Sequence, residues 1–162
     1  MQHTPGANDA KIRPLVADDA PDVADLIRTA FEAIAPPLNP PPSALRETAE
    51  SVARSIATGG FAMVADGRIL GCVLCEPRDG GLYLGRLSVA AGHRRQGVAQ
   101  ALIAAVVARA AAEGYPRVHA GVRLVLAGNR ALFAACGFRE TALHAHEGFA
   151  EPTWVELEKP LV

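Results

Sequence analysis

Apolar positions along this chain switch repeatedly between two spacings, and the switches mark its elements. "KIRPLV" (11–16) is extended and predicts a first strand, stopped by Asp18 and Asp19, which are placed to cap a helix. The helix follows in "APDVADLIRTAFEAI", where Val23, Leu26, Ile27, Ala30 and Phe31 recur at helical spacing and Pro21 falls in the first turn. "APPLNPPPS" (35–43) is a loop, because its prolines forbid helix and remove ladder donors. A second helix is expected over roughly 45–58, starting near Thr48 and stopped by Gly59-Gly60.

The spacing then becomes that of strands. "FAMVAD" and "RILGCVLCE" flank Asp66-Gly67, a strong hairpin signal. "RDGG" (78–81) turns the chain into "LYLGRLSV" (82–89). A long helix beginning near Gln96 stops at Gly114 before Tyr115-Pro116, and "RVHAGV" (117–122) forms a fifth strand. A short helix, "NRALFAAC" (129–136), closes at Gly137, and "FRETALHAH" and "TWVELEK" make a last hairpin around "EGFAEP". The order β-α-α-β-β-β-α-β-α-β-β predicts a mixed α/β fold, with a central sheet of about seven strands flanked by helices on both faces. With no internal repeat and no linker, residues 11–160 read as a single domain behind a flexible leader over 1–10.

Composition narrows the function classes. The chain has 162 residues, 50% of them hydrophobic, and a formal net charge of −1, so no global basic field points to nucleic acid. The N-terminal segment has no apolar signal core, and "VAQALIAAVVA" (98–108) is too short to span a bilayer. A soluble, cytoplasmic protein without a membrane partner is the expectation. Cys72 and Cys75 have the spacing of a redox or zinc pair, yet on a strand residues three apart face opposite ways. With Cys136 the only other cysteine, all three read as small hydrophobes, and no metal site is expected.

Chemistry concentrates in "GHRRQGVAQALI" (92–103). A strand ending at Val89 and a helix starting near Gln96 leave the first helical N–H groups unpaired, and those groups with the helix dipole attract anions. Gly97 and Ala99 keep bulk away, while Arg94 and Arg95 add charge suited to phosphate oxygens. Neither a magnesium-nucleotide loop nor a dinucleotide fingerprint is present. An ordinary strand–helix corner with solvated arginines is the alternative on local physics alone.

"LSVAAGHRRQGVAQALI" resembles the acetyl-CoA-binding motif of the GNAT N-acetyltransferase family, whose Arg/Gln-x-x-Gly-x-Gly/Ala pattern is met by Arg94, Gly97 and Ala99. A second landmark, an Asn-containing turn and short helix before Gly-Phe, is met by Asn129 and Gly137-Phe138. The element order is also the family's, over about residues 11–160. The resemblance implies that backbone amides from about Arg95 through Gln96, Gly97, Val98 and Ala99 to Gln100 hold the CoA pyrophosphate. It implies further that Leu87, Ser88 and Val89 bind the pantetheine arm between splayed strands, with Asn129 and Phe133 also against that arm. An amide near Val89 would polarise the thioester carbonyl, and an acceptor amine would attack directly.

The sequence departs from the family pattern in three places, one being that Asn129 stands closer to Gly137-Phe138 than in the commoner form of the motif. Phe133 stands where relatives often have a Tyr acid, and the strand "LYLGRLSV" lacks the Glu that many use as base. Tyr83 is the titratable group on that strand, although its alternation favours packing. "LHAHEGF" sets His144 and His146 on one face of a strand, and His146 or Glu147 is the candidate base; a solvent-facing turn is the plainer description. Glu32, Glu47 and Glu50 offer carboxylates near the proline-rich loop, or simply solvated helix charge. The expected activity is acetyl transfer from acetyl-CoA to the amine of a small molecule or peptide, without a metal. A GNAT-like acyl-CoA sensor without efficient catalysis is the first alternative, and a small α/β interaction domain the second. A homodimer through an edge strand or shared final sheet stays open.

Overall fold

The strongest local signals become two tight hairpins. In the computed structural model, which describes residues 9–161, Asp66-Gly67 joins β2 (Gly60–Ala65) to β3 (Arg68–Arg78) with φ of 49° and 74°. Asp79-Gly80 joins β3 to β4 (Gly81–Val89) with 49° and 73°. Two successive positive φ values give the turn whose twist matches the strands it joins, and Asp-Gly suits it best. The first eight residues of the expected leader lie outside the described residues.

The remaining elements are β1 (Lys11–Pro14), α1 (Ala20–Glu32), α2 (Ala49–Ile56), α3 (Val98–Ala112), β5 (Arg117–Arg123), α4 (Ala127–Ala135), β6 (Arg139–His144) and β7 (Trp154–Pro160). The seven strands form one sheet in the order β1-β2-β3-β4-β5-β7-β6. All neighbours are antiparallel except β4 and β5. The mixed α/β architecture is the one that the element order predicts.

Helices cover both faces because β3 is apolar on both. Cys72 and Leu74 pack into one cluster with Val23 and Ile27 of α1 and Val52 and Ile56 of α2. Val73 and Cys75 pack into the other, with Leu102, Ile103 and Val106 of α3. The two sulfurs of "CVLC" therefore diverge. Each fully buried aliphatic side chain stabilises the fold by roughly 1.5–3 kcal/mol, and truncating Leu102, at 0% exposure, to Ala costs about 2–5 kcal/mol. Gly71 lets α3 approach: a Cβ there would lie 2.7 Å from Val98 Cγ1. That contact fixes the first turn of α3 against β3.

Several boundaries differ from the sequence expectation. The second helix is shorter than 45–58, because Glu47 is extended (φ −62°, ψ 139°) and separates a 3-10 turn at Ser43–Arg46 from α2. Thr48 then caps α2, its Oγ1 accepting from Ser51 N at 3.1 Å while Ser51 Oγ accepts from Thr48 N at 2.9 Å. Asp19 makes no side-chain cap on α1. Its carboxylate accepts from Val16 N and from both terminal nitrogens of Arg13 at 2.8–2.9 Å, tying β1 to the turn before the helix. The long helix starts at Val98 rather than Gln96, because Gly97 is left-handed (φ 80°). β6 ends at His144, so His146 lies in the loop and does not share a strand face with it. His144 instead stacks on Trp154 at 4.3 Å, with Nε2 3.1 Å from Glu156 Oε1.

Candidate functional site

The site begins as an interruption of the ladder. β4 and β5 pair only at Leu82↔Val118 and Tyr83↔His119, and then part. A bulge on β4 helps to part them: Leu74 opposes Gly85 and Cys72 opposes Ser88, so Arg86 and Leu87 share one partner on β3. Arg86 takes the left-handed conformation (φ 55°), at a cost of about 1–2 kcal/mol. Its guanidinium is held by Ser43 Oγ at 2.9 Å and Glu47 Oε1 at 3.2 Å. Glu47 is thus already engaged, and its other oxygen accepts from Ser51 Oγ at 2.7 Å.

Beyond the bulge the backbone polarity of β4 is readable from one bond. Ala90 N donates to Leu70 O at 2.8 Å, and the Gly71↔Val89 pair is next to it. Amides on a strand alternate in direction, so the Val89 N–H points away from β3 into the gap left by β5. Ser88, at 2% exposure, spends its hydroxyl on Arg86 O at 3.0 Å.

An outer cleft of about 630 Å³ opens at the end of β4, walled by Leu87, Ser88 and Val89, by the Arg94–Gln100 turn, and by the last turn of α1 and the first of α4. The first intrahelical bond of α3 runs from Ala101 N to Gly97 O at 3.0 Å, so the amides of Val98, Ala99 and Gln100 precede the hydrogen-bonded ladder. Gly97 has open space where a side chain would project, the nearest atom being Gln100 Oε1 at 3.6 Å. Arg94 and Arg95 are exposed beside it, and Arg95 is also left-handed (φ 61°). His93 Nδ1 is buried without a partner among the described residues and belongs to this cleft. Unpaired amides, two guanidinium groups and an orphaned ring nitrogen fit an elongated, phosphate-bearing ligand.

An inner cleft of about 400 Å³ meets the outer one at Phe31, Leu87, Leu126 and Asn129. Asn129 lies in the first turn of α4, which begins at Ala127, two residues earlier than the sequence suggests. Phe133 is in the core at 4% exposure, edge-on to Phe138 at 5.1 Å, and reaches the inner cleft rather than the outer one.

The sequence candidates for catalysis are not all together. Tyr83 and His146 both line the inner cleft, whereas Glu147 is exposed and lines neither cleft. Tyr83 is flanked by Arg78, 3.9 Å above its ring, and by His119 edge-on at 5.3 Å. His146 is tied to Thr153: its backbone N–H donates to Oγ1 at 2.9 Å and its Nδ1 contacts the same oxygen. Burial, and then the Arg123 charge, hold the His146 imidazole below its ordinary pKa of 6.5. Sequence reasoning missed Phe31, Arg123, Thr153 and Trp154. Each becomes part of the site only through strand pairing or helix packing. Among the described residues no group of three or more His, Cys, Asp or Glu side chains could hold a metal, and no helix is long and apolar enough to cross a membrane.

The family model described as acetyltransferase (GNAT) family matches residues 21–138. The fold is similar to the ribosomal-protein-S18-alanine N-acetyltransferase of Escherichia coli, with TM-score 0.73 and 18% identity over 94% of each chain. It is also similar to a GNAT acetyltransferase of Elizabethkingia anophelis with acetyl-CoA bound, with TM-score 0.72 and 18% identity over 95% of this chain and 99% of that one. A third is the PaiA N-acetyltransferase of Thermoplasma acidophilum in complex with coenzyme A, at TM-score 0.75 and 13% identity over 93% and 98%. No curated protein matches the chain significantly in sequence. With the family model matching well over half of the chain, from the start of α1 to the end of α4, the chain belongs to the acetyltransferase (GNAT) family.

Proposed function

We propose that this protein moves an acetyl group from acetyl-CoA directly to the amine of a small molecule or peptide. The observation that carries the reading is the continuity of the two clefts: an anion-binding turn at one end and a titratable imidazole at the other meet across the gap between β4 and β5.

Acetyl-CoA, when bound, supplies the activated acetyl thioester. The amides of Val98, Ala99 and Gln100, with Arg94 and Arg95, bind pyrophosphate oxygens; Gly97 leaves the approach open. Leu87, Val89 and Asn129 line the path toward the inner cleft. The Val89 N–H, free of β3, polarises a carbonyl placed in the gap.

His146 takes the amine proton. Its lowered pKa keeps the ring neutral near pH 7, and in the tautomer that carries the proton on Nδ1, facing Thr153 Oγ1, Nε2 is the basic nitrogen. Tyr83, between Arg78 and His119, serves as a wall of the cleft. Phe133 has no proton to give, so solvent at the cleft mouth protonates the departing thiolate. Cys72 and Cys75 are buried in β3, which supports direct transfer over a thiol-borne acyl group.

The test is thiol release from acetyl-CoA with a panel of amines, followed by mass detection of the N-acetyl product. Transfer is expected with at least one amine class and depends on His146. Tight CoA binding with no transfer to any amine would instead establish a sensor, the reading favoured by Phe133 at the acid position.

A further inference from the structure

The inner cleft is one-sided in charge. Arg78, Arg86, Arg123 and His146 line it, and among the described residues no carboxylate does. Two of the three guanidinium groups are already committed. Arg78 lies over Tyr83 and is ion-paired with Glu76. Arg86 is bound by Ser43 and Glu47. Arg123 differs: among the described residues no hydrogen bond or ion pair engages its side chain, although it is half-buried. Burial without a compensating anion also depresses its pKa, which is unusual for an arginine.

The position of Arg123 is specific. It is the last residue of β5, opposite Trp154 on β7, where β5 has already left β4. It is close enough to His146 to disfavour the charged imidazole. The Trp154 ring, Phe31 and Leu38 give the same cleft an apolar wall. A ligand suited to this surroundings has an apolar body, an amine near His146 and one planar anionic group for the guanidinium fork.

We propose that the acceptor amine carries a carboxylate, as in a free amino acid, and that Arg123 is the group that binds it. This rests on the acetyl-transfer reading above. The carboxylate supplies the counter-charge that Arg123 lacks, whereas the bare ammonium groups of a polyamine bring it none. The same positive wall eases loss of the amine proton to His146, because nearby cations favour the neutral amine.

The test compares kcat/KM for a panel of α-amino acids with the matching carboxamides, an aminoalkyl phosphate and a polyamine. The best amino acid is expected to exceed its carboxamide by at least tenfold, and Arg123→Gln to collapse that ratio while the KM for acetyl-CoA stays within about twofold. Arg123→Lys, which keeps the charge and loses the fork, should retain part of the preference. Thermal melting and CoA affinity of each variant report folding separately. Calorimetry with N-acetyl amino acids in the presence of CoA reads the same site without turnover, and Arg123→Gln should weaken binding at least tenfold. Equal rates on acid and carboxamide, a preference that survives Arg123→Gln, or an aminoalkyl phosphate preferred tenfold over every acid would overturn the assignment. Transfer to amines regardless of carboxylate would leave the acetyl-transfer reading standing and remove this one. Arg123-dependent binding of the acids without any acetylation would do the reverse.

Discussion

The Thr153 hydroxyl meets His146 twice, accepting its backbone N–H at 2.9 Å and contacting its ring Nδ1. Thr153 is itself pinned on both sides, its N donating to His144 O at 2.7 Å and its O accepting from Leu124 N at 3.0 Å. An imidazole in a loop between two strands is thereby given a fixed orientation toward the inner cleft.

The pH dependence follows from that environment. His146 titrates below its ordinary 6.5, so the active neutral ring is retained as pH falls and is lost only on passing the depressed folded value. The acid limb of kcat/KM is expected below pH 6.5. His146→Gln should remove that limb and lower kcat by about 10²–10⁴-fold. Thr153→Val, which leaves the ring unaligned, should lower kcat more than it changes KM and alter the limb, whereas Thr153→Ser should restore both. A wild-type limb at or above the ordinary histidine value would contradict the assignment.

The pair between Arg13 and Asp19 makes a stability prediction. Hydrogen bonds from Arg13, and secondarily from Val16 N, hold the Asp19 carboxyl below its ordinary value against the opposing effect of burial. A carboxylate with a depressed folded pKa contributes stability above its unfolded pKa and loses it as pH falls through the folded one. Asp19→Asn is therefore expected to cost about 1–2 kcal/mol at pH 7, on the low side because Arg13 keeps 41% of its side chain exposed. The deficit should begin to shrink below about pH 4, where the unfolded chain takes up the carboxyl proton, and go on shrinking as pH falls through the depressed folded value. Denaturant unfolding at pH 7 and pH 3 checks both parts; an equal deficit at the two values would rule out the ionic contribution.

Thiol reactivity separates packing from redox chemistry. Cys72 is buried at 0% exposure, with its pKa pushed up to about 12. Cys75 is also raised by burial, although Arg109 Nη1 stands 3.2 Å from its sulfur. Under native conditions an alkylating reagent should modify Cys136, the one half-buried thiol, long before the other two. Denaturant should release all three. Rapid native labelling of Cys72, or a bond between Cys72 and Cys75, would contradict the two-faced packing of β3.

Much of the fold was legible because it rests on local signals. Asp66-Gly67 and Asp79-Gly80 needed only their own residue types, and the spacing of Val23, Leu26, Ile27 and Phe31 carried the buried face of α1. The turn at Gly97 that the proposed donor site uses was legible for the same reason, since Gly97 and the amides after it are contiguous in the chain. The inner cleft was not. Arg123, Thr153 and Trp154 come together through the β5–β7 ladder, and Phe31 arrives on a helix from the start of the chain. The misplacement of His146 beside His144 came from extending β6 by two residues past its end. Phe133 packs against Phe138 and lines the inner cleft, a place on the inner face of α4 that a motif offset does not report.

The most direct measurement is a calorimetric titration of acetyl-CoA into wild type and Gly97→Glu. A side chain at Gly97 meets open cleft, so the fold survives with a cost of about 1–2 kcal/mol for the left-handed backbone. Its carboxylate would enter the turn proposed above to hold the pyrophosphate. Wild type should bind and Gly97→Glu should show no binding heat despite an ordinary melting transition, with Arg94→Ala and Arg95→Ala only weakened. Normal binding by a folded Gly97→Glu, or no binding by wild type, would contradict the phosphate cradle on which the account depends.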